Sequence, residues 1–143
     1  MQVAVEQRVR RTPGEVAAFA MNPANDRQWI GALRCVRTLT DGPVGAGTRV
    51  ERVAGFLGRR IRYVNEITEY EPGRRLAMRS VEAPFPMTVA YDFEPGDGGG
   101  TLVRITAGGD PGRVFALAGP LLPMLVKRGI RRDLTTLRRR LES

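Results

Sequence analysis

The chain has 143 residues, 42% hydrophobic and 27% charged, with 23 Lys and Arg against 15 Asp and Glu for a net charge of +8. That length and balance suit one folded domain over 1–143 and exclude a disordered chain. With no histidine and only Cys35 as a thiol, histidine-dependent triads, an internal disulfide and a paired-thiolate zinc site are all excluded.

The opening "QVAVEQRVR" sets Val3, Val5, Gln7 and Val9 against polar neighbours, the period of two of a half-buried strand. It lacks the continuous apolar run and cleavage site of a secretory signal, so a cytoplasmic location is expected. Thr12, Pro13 and Glu15 then provide the cap, first position and capping-box acid of a helix that Asn22 and Pro23 end. The same Asn22 and Pro23 start a second, shorter helix, "NPANDRQWI", ending at Trp29. Six runs follow that read as strands, at 32–40, 48–57, 60–70, 74–82, 86–95 and 101–108. Between them "DGPVGAG", "LGRR", "YEPGRR", "EAPFP" and "EPGDGGG" have the glycine and proline content of hairpin turns. Seven strands are predicted, in an antiparallel meander with one face that must be covered.

The cover is the C-terminal segment. Its start, "FALAGPLLPMLVKRG", is the most hydrophobic run of the chain, but it falls short of the ~20 apolar residues that cross a bilayer. Leu122, Val126, Ile130, Leu134, Leu137 and Leu141 recur at spacings of three and four, the stripe of a helix that packs on a sheet. Pro120 and Pro123 do not fit an undisturbed helix interior, so either a short helix near 112–119 precedes the main one or the main helix is kinked. From Lys127 to the C-terminus, Arg128, Arg131, Arg132, Arg138, Arg139 and Arg140 outweigh Asp133 and Glu142. The reading is a solvated helix face that gives solubility and a weak attraction to acidic membrane surfaces. Specific nucleic-acid recognition is not expected, because no aromatic residue lies between Arg128 and Ser143 to stack on a base.

Parity places Ile61, Tyr63, Asn65 and Ile67 inward, together with Leu76, Met78 and Ser80, then Met87, Val89, Tyr91 and Phe93, and finally Val103, Ile105 and Ala107. Arg62, Glu66, Arg79, Asp92 and Arg104 fall on the outer, solvated parity. Asn65 is the residue most out of place, since an amide on an apolar face costs roughly 1 to 3 kcal/mol unless it finds a partner. Cys35 is expected to be a small buried hydrophobe. "GDGGG" and "GPVGAG" lack the ending and setting of a phosphate-binding loop. No metal, nucleotide or other cofactor is expected.

Strand, two short helices, six-strand meander and long closing helix form an order that, with "NPANDRQWI", "DGPVGAGTRV", "LGRRI", "ITEYEPGRRLAMRS" and "YDFEPGDGGGTLVRIT", resembles the START-like (SRPBCC) superfamily. Within it, the chain looks like the bacterial polyketide cyclase/dehydrase and lipid-transport branch. The resemblance implies an α+β helix-grip fold, a curved seven-stranded antiparallel sheet wrapped around the C-terminal helix. An apolar cavity between them would hold a lipid, polyketide or similar molecule. The superfamily includes enzymes, carriers and sensors, so the activity depends on the chemistry of the cavity itself.

The expected ligand-binding residues are Trp29 at the mouth, Met78, Met87, Val89, Phe93, Val103 and Ile105 on the sheet, and Phe115, Leu122 and Val126 on the closing segment. Tyr63, Asn65, Ser80 and Tyr91 are the polar groups able to orient a ligand. The leading expectation is non-covalent binding of a hydrophobic small molecule at the proline end of the helix. The alternative is an aromatase/cyclase or dehydratase-like enzyme using those four polar residues, and the third is surface binding to acidic lipid or nucleic acid through the basic helix.

Overall fold

A computed structural model describes all residues, 1–143. Strand β1 (Gln2–Val9) leads into helix α1 (Pro13–Ala20), a 3-10 helix (Pro23–Gln28), and then strands β2 (Leu33–Thr38), β3 (Arg49–Phe56), β4 (Arg59–Glu71), β5 (Arg75–Glu82), β6 (Met87–Pro95) and β7 (Thr101–Gly109). A further 3-10 helix (Ala116–Leu121) precedes α2 (Leu122–Glu142). The seven strands form one sheet in the order β1-β7-β6-β5-β4-β3-β2, every pair antiparallel. With α2 laid against it this is the helix-grip fold, an α+β architecture.

Local chemistry fixes the element ends. Thr12 Oγ1 accepts the Glu15 N–H at 3.3 Å and donates to Glu15 Oε1 at 3.0 Å, while Asn22 Oδ1 accepts the Ala24 N–H at 3.0 Å. The β3–β4 hairpin turns through Leu57 (φ 51) and Gly58 (φ 77), the left-handed pair of a two-residue turn. Of the two possibilities for the prolines, the structure takes the separate short helix. Gly119 (φ 51, ψ −132) breaks the chain, Pro120 sits in the 3-10 turn, and Pro123 lies in the first turn of α2, where its missing N–H costs nothing.

Bulges bend the sheet and change its phase. Between β4 and β5 the register skips Val81 and then Thr68, and between β2 and β3 it skips Arg34. The last of these corrects the reading of Cys35. Strict alternation from buried Leu33 would bury it, but the bulge rotates the edge strand, and Cys35 is exposed. The outer parity is as read, with Arg62 paired to Glu51, Glu66 to Arg49, Asp92 to Arg75 and Arg104 to Glu6.

Two apolar clusters make the core. The larger joins Val5, Val9, Val16, Tyr91, Phe93 and Val103 to Leu134 and Leu137 of α2, and the smaller joins Ile61, Phe115 and Leu122. Two hydrogen bonds tether α2, one at its C-terminal end and one at its middle. Glu142 Oε2 accepts the Arg10 N–H at 2.8 Å, and Asp133 Oδ1 accepts the Gly31 N–H at 3.0 Å. No helix is long and apolar enough to cross a membrane.

Candidate functional site

Between the two clusters lies a cavity of about 300 Å³, and 19 of its 27 lining residues are hydrophobic. The sheet supplies its floor, and the chain from Pro111 through Asp133 its roof. Of the residues expected there, Tyr63, Asn65, Met78, Met87, Val89, Tyr91 and Ile105 line it from the sheet. Phe115, Leu122 and Val126 line it from above, and Trp29 from the end of the first 3-10 helix.

Three expected residues stand elsewhere. Phe93 and Val103 are cross-strand partners packed inside the larger cluster, 2% and 1% exposed, with α1 over them in place of the cavity. Ser80 faces Asn65 across β4 and β5, but its Oγ accepts the Met87 N–H at 3.0 Å where the β5–β6 ladder ends. Its hydroxyl therefore closes a hairpin and does not line the cavity.

The cavity is chemically lopsided. At one end Phe115 meets Phe56 edge-on at 5.2 Å and Phe85 at 5.9 Å, and all three rings line the space. Here Arg59 Nη1 donates to the Val114 carbonyl at 3.1 Å, tying the β3–β4 hairpin to the covering segment. At the other end the Trp29 and Tyr91 rings meet edge-on at 5.7 Å.

Beside them is an ion pair that the sequence pattern did not reveal. Arg52 Nε donates to Asp26 Oδ2 at 2.9 Å and Arg52 Nη2 stands 2.8 Å from the same oxygen, with side chains only 5% and 2% exposed. The remaining guanidinium nitrogen, Nη1, has only the Met78 Sδ at 3.6 Å, a weak acceptor, and Arg52 lines the cavity. Burial opposes the charge of Arg52, but Asp26 beside it outweighs that and raises its pKa, so the guanidinium stays protonated. The signal was present: Arg52 shares parity with Val50, Ala54 and Phe56 on β3, and Asp26 is the one acid of "NPANDRQWI".

Burial pushes the Tyr63 and Tyr91 hydroxyls above their ordinary value, so both are phenols that donate or accept without ionising at neutral pH. Asp133 was also missed. It sits on the helix face between Ile130 and Leu134, lines the cavity, and burial raises its carboxyl to about 6 against the pull of the Gly31 N–H and Arg132. No three His, Cys, Asp or Glu side chains converge in a cluster that could hold a metal.

The model of one protein family, described as polyketide cyclase / dehydrase and lipid transport, matches residues 1–142. The chain belongs to this family. Solved structures agree on the fold of this family member. TTHA0849 of Thermus thermophilus superposes with a TM-score of 0.84 at 23% identity, over 98% of this chain and 96% of that one. The Zhui aromatase/cyclase of Streptomyces sp. R1128 gives 0.82 at 17% identity, over 99% and 93%. A START superfamily protein of Mycobacterium smegmatis gives 0.82 at 12%, over 99% and 97%. No curated protein sequence matches the chain.

Proposed function

We propose that the protein binds a hydrophobic small molecule non-covalently in the cavity between its sheet and the segment from Pro111 to Asp133. The observation that carries this reading is the apolar space of about 300 Å³ under a covering segment, in a chain that packs Leu134 and Leu137 to 0% exposure further along the same helix. Such a volume lies at the lower end of the ~300 to 1,000 Å³ usual for ligand sites, which favours a compact or single-chain ligand over a sterol-sized one. The family description, with its cyclases and lipid carriers, supports the same reading. Native mass spectrometry of protein purified without detergent tests it. A retained apolar molecule released on denaturation is expected, and a protein that is empty and takes up no neutral apolar dye contradicts it.

A second reading, acid–base chemistry on the occupant, is supported by Asp133, whose carboxyl stands on the cavity wall with a pKa raised to about 6, near where a general acid or base works best. Incubation with a β-hydroxy ketone tests it. Loss of one water faster than in buffer, removed by Asp133→Asn, supports this reading, and no loss above buffer contradicts it.

A further inference from the structure

Only three buried side-chain polar atoms in the molecule lack a protein hydrogen-bond partner: Trp29 Nε1, Asn65 Oδ1 and Arg138 Nε. Two of the three belong to residues that line the cavity. They are complementary, since an indole N–H only donates and an amide oxygen only accepts. They also share one end of the cavity. Trp29 follows Asp26 on the same 3-10 turn, with its backbone N–H donating to the Asp26 carbonyl at 3.2 Å. Asp26 holds Arg52, Arg52 stands opposite Tyr63 in the β3–β4 register, and Asn65 is two residues further along β4. Trp29 is 2% exposed and Asn65 2% exposed, so bulk water does not serve either group. A buried polar atom left unpaired carries a desolvation penalty that a matching ligand group removes.

Charge narrows the choice. The one cation at this end, Arg52, is already neutralised by Asp26 at 2.8 Å. Of the other ionisable groups on the wall, the Tyr63 and Tyr91 phenols stay neutral, the Met1 ammonium bonds the Gly109 carbonyl at 2.9 Å, and Asp133 is a carboxyl. At the Trp29 end an anionic head group would therefore find no free positive charge and one potential negative one. A cationic head group would face the guanidinium N–H groups of Arg52 that point away from Asp26. Neither charged end is compensated in this apolar space.

We infer that the occupant is an uncharged molecule whose apolar body lies toward Phe115 and whose polar end presents both a carbonyl acceptor to Trp29 Nε1 and a hydroxyl or N–H donor to Asn65 Oδ1. This rests on the reading of the cavity as a ligand site. Hydroxy-ketones and primary amides have such an end, whereas fatty-acid anions and simple esters do not.

The test is displacement of the neutral dye N-phenyl-1-naphthylamine by three ligands of equal chain length at pH 8: decanamide, methyl decanoate and decanoate. Decanamide is expected to displace the dye at a concentration at least tenfold lower than either of the others. Its advantage over methyl decanoate should disappear in Asn65→Leu, whereas Trp29→Phe should weaken decanamide and methyl decanoate alike, since both present a carbonyl. If decanoate or methyl decanoate displaces as well as decanamide in the parent protein, the inference is overturned and the cavity remains an unselective apolar site. An advantage that survives in folded Asn65→Leu, or a Trp29→Phe variant that binds both ligands as the parent does, overturns it as well, assigning the polar contact elsewhere. If the dye does not bind at all, the apolar-site reading fails, and the inference with it. The parent comparison needs no variant, so it stays decisive even where a substitution folds poorly.

Discussion

The two halves of the C-terminal segment pack in opposite ways, and the more apolar first half is the less buried one. From Ile130 onward, Leu134 and Leu137 are fully buried where α2 packs on β1, and Glu142 holds the end down by accepting the Arg10 N–H. Before it, Leu117 is fully exposed, Leu121 and Met124 are 56% and 58% exposed, and only Phe115 and Leu122 are buried, with Val126 half-buried on the cavity wall. The difference comes from backbone. An uninterrupted helix presents one stripe to the sheet, whereas Gly119 and Pro120 break the chain into short turns that span a gap without filling it. One half of the segment holds the fold and the other roofs a space.

The largest effect should come from the polar end of the floor. Arg52→Met leaves Asp26 buried without its partner and is expected to cost ~3 to 5 kcal/mol in urea unfolding. Adding Asp26→Leu to it should recover most of that loss, since an apolar pair replaces an ionic one. Leu137→Ala should follow at ~2 to 5 kcal/mol, because a residue at 0% exposure leaves a cavity that its neighbours fill only in part. On the roof, Leu117→Ser should change stability by less than ~0.5 kcal/mol. A loss at Leu117 matching that at Leu137 would erase the contrast between the halves.

Asp133 sits where the halves meet, and it sharpens the contrast through pH. Its folded pKa is raised from 3.8 to about 6, so its share of stability is complete below the ordinary carboxylate value and is lost as pH rises through about 6. Asp133→Asn keeps the acceptor for the Gly31 N–H and removes the buried charge. The variant should exceed the parent by about 1 kcal/mol at pH 8, allowing for partial exposure, and match it at pH 4. Parallel stability curves for the two proteins would refute this.

Much of the fold was legible because local signals agree. Strand parity, explicit turns and the capping of α1 and the first 3-10 helix each point to the same order of elements. The site was legible only where alternation runs unbroken, as at Met87, Val89 and Tyr91 on β6. Cys35 and Ser80 were misplaced beside bulges, where one unpaired residue resets the phase or the end of the ladder claims the side chain. Phe93 and Val103 have the right parity but lie further along their strands than the cavity extends, under α1. Which stretch of an inward face is covered by which helix is a tertiary fact that strand alternation does not carry. Arg52 and Asp26 were missed for a different reason. Each is an ordinary surface residue alone, and only their pairing across the fold makes burial tolerable.

The central claim is that the roofed space takes up an apolar molecule, and a single substitution measures it most directly. Val89 lies on the floor between Met78 and Ala107, so Val89→Trp should fill the cavity from inside while leaving the buried stripe of α2 untouched. In a fluorescence titration with N-phenyl-1-naphthylamine, the parent should bind and the Trp variant should not, with both showing the same cooperative unfolding. Equal binding by the two proteins would contradict the account and move any ligand site off this floor.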